Sequence, residues 1–301
     1  MNLPFEYDQL ALGEFGGTTP TTTDFANARV VILPVPLDRT TSYVSGTRNG
    51  PHEILVASSH IELWDEETQT DVHSIGIYTL PEMEFPFAGM DEVVCEIRRV
   101  ASELISRDKF PLILGGEHSI TPAVVGAVAA KHPGLSVLQI DAHADLRDSF
   151  MGTPHNHACA MRRTLDFAPT TQVGIRSLSP EEAAAAPSLR TTMFYDYNMR
   201  DDPRWIDRVV ESLTDTVYIT IDVDGLDPAI MPATGTPEPG GLSWYETLAL
   251  LRAVIERRTV VGCDIVELSP MAGHVAPNFL CAKLIYKILS YRFRSEIDRT
   301  L

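Results

Sequence analysis

The 301-residue chain is short of cysteine, of positive charge and of long apolar runs, and each shortage closes off a class of protein. Its four cysteines, Cys95, Cys159, Cys263 and Cys281, are scattered and form no CxxC pair. That spacing disfavours a disulfide framework and a cysteine-rich zinc site. Lys and Arg number 24 against 41 Asp and Glu, for a formal net charge of -17. Nucleic-acid phosphates demand basic patches, so this balance argues against them as partners. An acidic surface suits small cations better, although solubility alone also accounts for it. No apolar run approaches the roughly 18 residues of a membrane span. The opening stretch, "MNLPFEYDQL", has neither the basic nor the apolar region of a signal peptide. A cytosolic chain without nucleic-acid or membrane partners is the expectation.

What is present is a hydrophobic fraction of 44%, enough for one large core. After an irregular, Thr-rich start come short β-branched runs: "RVVILPV", "FPLILGG", "LSVLQID", "TVYITID" and "TVVGCDIVE". Between them lie amphipathic or Ala-rich stretches at Asp91–Arg107, Ala123–Lys131 and Trp244–Arg257. Buried strands alternating with helices predict a parallel α/β sheet. There is no internal repeat and no linker-like segment, and "EEAAAAP" reads as a helix end rather than a boundary. One domain over residues 1–301 is expected, with residues 1–29 as an irregular extension.

In open parallel sheets ligands sit beyond the carboxyl ends of the strands. Four of the runs end there in polar residues: Glu117 and His118, the Asp141 cluster, Asp222 with Asp224, and Glu267. In "VLQIDAHADLRD", Asp141, His143 and Asp145 fall at every second position, which in extended chain puts them on one face. Asp222 and Asp224 do the same in "IDVDGLDP". Carboxylates crowded like this repel one another unless cations sit between them. With His118 added, four carboxylates and two imidazoles suit two divalent ions, and oxygen-rich ligands without thiolate favour Mn²⁺ over Zn²⁺. Two such ions about 3.5–4 Å apart can share a water and lower its pKa. A lone Asp at a strand end usually caps the next helix. Stacked acids at buried strand ends without counter-ions are far more costly, so the metal reading outweighs the structural one.

At these residues the chain resembles the ureohydrolase family, the arginase and agmatinase group. "GGEHS", "DAHAD", "IDVDGLDPAIMPATGTPEPGG" and "GCDIVELSP" occur in the family's order, and "TTSYVSGTRNGPHEI" resembles the agmatinase branch. The likeness runs from about residue 30 to 290. It implies a three-layer α/β/α fold around an eight-stranded parallel sheet, a binuclear manganese site, and a trimer or hexamer. By motif position, His118, Asp141, Asp145 and Asp222 hold one ion. His143, Asp141, Asp222 and Asp224 hold the other, with Asp141 and Asp222 as bridges. Three departures stand out: Glu117 where the family usually has Asp, a change expected to act on the orientation of neighbouring His118; Ala158 where a glycine often follows the active-site histidine; and Gly225 after Asp224, as in arginases, so that the Asp222 motif alone does not settle the substrate.

A guanidinium is a resonance-stabilised cation, so its hydrolysis needs a strong nucleophile and a proton for the departing amine. The resemblance implies His157, in "GTPHNHACAMRR", as the proton shuttle and Glu267 as the carboxylate gripping the guanidinium. Near-neutral titration suits a histidine to that work. His155 is its rival; Cys159, lacking a third orienting group, reads as a packing residue rather than a nucleophile. The arginine-specific groups of arginases are missing: Arg147 and "TPHN" stand at those positions. Agmatine, converted to putrescine and urea, is therefore the leading substrate. Arg147 leaves guanidinobutyrate or guanidinopropionate open if it meets a carboxylate, or forms a structural salt bridge. Aminopropylagmatine and arginine are further alternatives. A two-metal phosphoesterase would need more cations beside the metals, and a deacetylase of related fold would show a tandem His-His pair. A non-catalytic metal-binding paralogue would have lost a ligand or the shuttle.

Overall fold

The computed structural model describes residues 4–5, 9–10, 13–17, 24–85 and 89–297. Part of the N-terminal extension expected over residues 1–29 therefore lies outside the described residues. In chain order the strands are β1 Gln9–Leu10, β2 Val30–Val35, β3 Ile77–Thr79, β4 Glu82–Met83, β5 Phe110–Gly115, β6 Ser136–Ile140, β7 Thr170–Ile175, β8 Thr191–Tyr195, β9 Thr216–Asp222 and β10 Thr259–Val266. The helices are α1 Gly50–Ser58, α2 Met90–Ser106, α3 Thr121–Lys131, α4 Ala160–Thr164, α5 Pro180–Ala185, α6 Asp196–Met199, α7 Trp205–Ser212, α8 Trp244–Arg257 and α9 Ala276–Ile297.

Eight strands form one sheet in the order β3-β2-β5-β10-β9-β6-β7-β8, and every neighbouring pair is parallel. The small pair β1 and β4 is antiparallel and separate from it. Successive side chains of a strand point to opposite faces, and here both faces are apolar. From β2, Val30 and Ile32 join one core with α1, α7, α8 and α9, whereas Val31, Leu33 and Val35 join another with α2 and α3. The sheet is thus the middle layer of an α/β/α sandwich, as expected.

The helices follow from their sequences. In α2 the buried residues Val93, Ile97, Val100, Ala101, Leu104 and Ile105 recur at the helical period and face the sheet. Ser243 caps α8 reciprocally with Glu246: Ser243 Oγ accepts from the Glu246 amide, and Glu246 Oε2 accepts from the Ser243 amide at 2.8 Å. The "EEAAAAP" run does end a helix, because α5 stops at Ala185 and the chain tightens into a single turn over Ala186–Ser188.

Candidate metal centre and active site

The four strands at the middle of the sheet, β5, β10, β9 and β6, all deliver polar residues at their carboxyl ends. His118 follows β5, Glu267 follows β10, Asp222 closes β9 and Asp141 follows β6. The alternation expected for Asp141, His143 and Asp145 is not how they meet, since β6 stops at Ile140 and Asp145 has φ 51°. Turning there sends Asp141 Oδ2 and Asp145 Oδ2 to 3.1 Å from His118 Nδ1, while His143 Nδ1 lies 3.0 Å from Asp224 Oδ2. Asp224 likewise sits in a tight turn, Val223–Gly225, rather than in the strand. Gly225 allows this turn to press on β6: a Cβ there would stand 2.7 Å from the Asp141 amide.

Two triads result, His118–Asp141–Asp145 and Asp141–His143–Asp224, whose ligand atoms in each lie within 4.8 Å of one another. Asp141 belongs to both. Asp222 stands beside them, its Oδ2 3.5 Å from His118 Nδ1 and its Oδ1 accepting from the Asp224 amide at 2.9 Å. The donor chemistry fits divalent cations. Thr220 gives its hydroxyl hydrogen to buried Asp264, so its oxygen accepts from His118 Nε2 at 2.9 Å. With that nitrogen protonated, a neutral His118 would present its Nδ1 lone pair to three carboxylates. Without a metal ion, burial disfavours the charged ring, but these acids instead hold its pKa well above the ordinary value. A lone pair facing anions is tolerable only around a cation.

The electrostatics agree. Burial raises Asp145 to about 7, helped by the charge of Asp141, and burial also lifts Asp222 well above the usual carboxylate range, helped by Asp224 and Asp141. Burial works against protonated imidazole at His143, yet Asp224 and Asp141 hold it up at about 12. Burial opposes Asp141 ionising too, but His118 and His143 pull it below its ordinary value. The cluster recruits positive charge of whatever kind is at hand.

A cavity of about 240 Å³ opens over these residues and is also lined by Ser42, Arg147, Phe150, His157, Ala158, Glu182 and Glu267. Glu267 is buried, with φ 67°, a backbone region that non-glycine residues occupy only under local constraint. Its Oε1 accepts from the His118 amide at 2.7 Å. Burial pushes its carboxyl well above the usual range, and the charges of Glu117 and Asp224 add to this. His157 lines the cavity and burial holds it below its ordinary value. His155 is not among the lining residues; its Nε2 lies 3.1 Å from Asp91 Oδ1. Arg147 does reach the cavity, but its Nε is 3.6 Å from Glu182 Oε2 and its guanidinium lies 4.6 Å over the Phe150 ring. Cys159 is fully buried and its thiol is pushed up to about 11 by that burial, as suits a packing residue.

Several site contacts carried no sequence signal, although Thr40, Ser42 and Glu117 lie within the quoted motifs. Thr40 and Ser42 approach the two ring nitrogens of His157, Nδ1 and Nε2, each at 3.3 Å. Glu117, expected to act on His118, instead turns its carboxylate to Thr40, Ser119 and the Arg39 amide. Arg176 donates to the carbonyls of Gly174, Asp224, Leu226, Glu238 and Pro239, which ties the Asp224 turn to the loop before α8. Nothing in the spacing of these residues announces such contacts.

An N(1)-aminopropylagmatine ureohydrolase of Synechocystis is 42% identical over 283 residues, covering 91% of this chain and 92% of the relative. An agmatinase of Bacillus cereus is 34% identical, covering 83% and 87%. The crystal structure of agmatine ureohydrolase of Thermoplasma volcanium superposes with a TM-score of 0.86 at 32% identity, covering 96% of this chain and 97% of that one. Residues 28–290 match the model of the arginase family. With its sheet, its paired Asp/His triads and its relatives all in agreement, the chain belongs to the arginase family.

Proposed function

We propose that this arginase-family hydrolase cleaves a cationic guanidino compound to urea and an amine, agmatine to putrescine being the leading reaction. One observation carries the reading: a single cavity joins both Asp/His triads to His157 and to the buried carboxylate of Glu267. In this reading His118, Asp141, Asp145 and Asp222 would hold one divalent ion and His143, Asp141, Asp222 and Asp224 the other. Manganese suits so oxygen-rich a set. When bound, the pair supplies a water acidic enough to act as a nucleophile near neutral pH.

The rest of the work falls to the chain's own side chains. Glu267 binds the guanidinium through charge-assisted hydrogen bonds, and the arriving cation draws its raised pKa back toward the charged form. His157, neutral because burial lowers its pKa, takes a proton and returns it to the departing amine. Arg147 is engaged by Glu182, so the far wall offers a paired charge rather than a free cation. That arrangement supports a substrate without a carboxylate at its far end. The Synechocystis relative favours a second reading within the same class, N-substituted agmatine. We read the chain as one ureohydrolase unit that acts in the cytosol as a trimer or hexamer, and light scattering tests the assembly.

The deciding experiment is urea release by the manganese-loaded enzyme from agmatine, aminopropylagmatine, arginine, guanidinobutyrate and guanidinopropionate. Agmatine or its aminopropyl form should have the highest kcat/KM, with little change in Arg147→Ala. A wild-type preference for guanidinobutyrate that disappears in Arg147→Ala, at a cost of about 1.5–3 kcal/mol, would overturn the substrate class.

A further inference from the structure

Glu117 is fully buried, and its two oxygens meet four donors. Oε2 accepts from the amides of Arg39 at 2.7 Å and Thr40 at 2.6 Å, while Oε1 accepts from the hydroxyls of Thr40 at 2.8 Å and Ser119 at 2.5 Å. Amides can only donate, and a carboxylate surrounded in this way acts purely as an acceptor. The single hydroxyl hydrogen of Thr40 is therefore spent on Glu117. Its oxygen is left with lone pairs, one of which accepts from the His157 amide at 3.0 Å. The other faces His157 Nδ1 at 3.3 Å, and two lone pairs cannot face each other there. Nδ1 must carry the ring hydrogen. In a neutral imidazole that leaves Nε2 bare, turned toward Ser42 Oγ at 3.3 Å.

We propose that Glu117, acting through Thr40, is a positioning residue that fixes the tautomer of His157, with hydrogen on Nδ1 and the working lone pair on Nε2. The inference rests on the proton-shuttling role proposed above for His157. Neither Glu117 nor Thr40 lines the cavity; the pair decides which nitrogen can act there. The loop carrying Thr40 is itself anchored, since Asp38 accepts from the Gly46 amide at 2.6 Å and from Thr41 Oγ1 at 3.0 Å. A serine at position 40 keeps the hydroxyl that passes the constraint on, and a valine keeps only the shape.

The test is a cycle of Thr40→Val, Thr40→Ser, His157→Ala and Thr40→Val/His157→Ala, with manganese content, kcat and KM for agmatine measured on each. Thr40→Val should lose roughly 10- to 100-fold in kcat, a part of the 10²–10⁴ that acid–base help supplies. Its KM should stay within about threefold and its manganese content at the wild-type level, as expected for a group that acts only in the chemical step. Thr40→Ser should recover most of the rate. On the His157→Ala background, Thr40→Val should cost nothing further. Should Thr40→Val fail to fold, Glu117→Gln, which keeps the side-chain volume, takes its place in the cycle. A loss that persists in full without His157, or that appears as lost manganese or raised KM, overturns the inference. If His157→Ala itself retains full rate, the shuttle role falls, which is a different outcome.

Discussion

Asp141 contributes to both triads, whereas His118 contributes to one, so their removal should differ in kind. Asp141→Ala should abolish urea release and bring bound manganese toward one or zero ions per chain. Asp222→Ala should do the same if, as proposed, Asp222 bridges. His118→Ala should weaken mainly one ion and leave the other. Elemental analysis of the purified variants checks this, and full manganese in the Asp141 variant would sink the ligand assignment. Cys159 makes a useful contrast at the same scale. Its buried thiol, held up at about 11, stays protonated at neutral pH and should resist alkylation, while exposed Cys95 reacts.

Between elements, Arg176 is the tie: one guanidinium from the end of β7 holds carbonyls of the Asp224 turn and of the loop before α8. Arg176→Gln should cost about 3 kcal/mol in stability, as expected when charge-assisted bonds are lost and carbonyls left unpaired. It should also loosen metal retention, because the Asp224 turn loses its anchor; thermal melts and manganese dialysis measure the two effects. How far these elements could be read in advance depended on their residues. β2, β5, β6, β9 and β10 were legible because continuous apolar, β-branched runs leave little else to form. The edge-side strands β7 and β8 were not, since "TTQVGI" and "TTMFY" carry Thr and Gln that a loop would also carry. The acids and histidines that converge in the candidate metal centre were legible as clusters through their motifs. The Glu117–Thr40–His157 chain was hidden, because residues 77 and 117 apart along the chain meet only after β2 and β5 have paired. Sequence spacing also gave the wrong local reason for the Asp141 cluster, which converges through a turn at Asp145 and not through an extended strand.

For the molecule as a whole, the buried Asp/His cluster couples folding to pH. In the metal-free chain both His143, at about 12, and Asp145, at about 7, are raised, so the folded form binds more protons than the unfolded one. The stabilisation carried by His143 is full below its ordinary 6.5 and fades as pH climbs toward about 12, and that of Asp145 is lost between 3.8 and about 7. Metal ions compete with these protons and bind better as pH rises. The gap in Tm between manganese-loaded and chelated protein should therefore widen from about pH 6 to about pH 8. A constant or shrinking gap would contradict the assigned directions. The position of the four ligand-bearing strands has a kinetic consequence too. Each of β5, β10, β9 and β6 has a hydrogen-bonded neighbour on both sides, so none can peel away without breaking two ladders. In native-state hydrogen exchange, the amides of residues 138–140, 219–221 and 263–265 should be the last to take up deuterium, released only by global unfolding. Between the anchors at Thr40 and Gly46, the exposed residues 42–45, with Tyr43 79% exposed, should exchange early and be the segment that slows when substrate binds. The catalytic floor is then an immobile anvil, and whatever timing the enzyme has belongs to the loop above it.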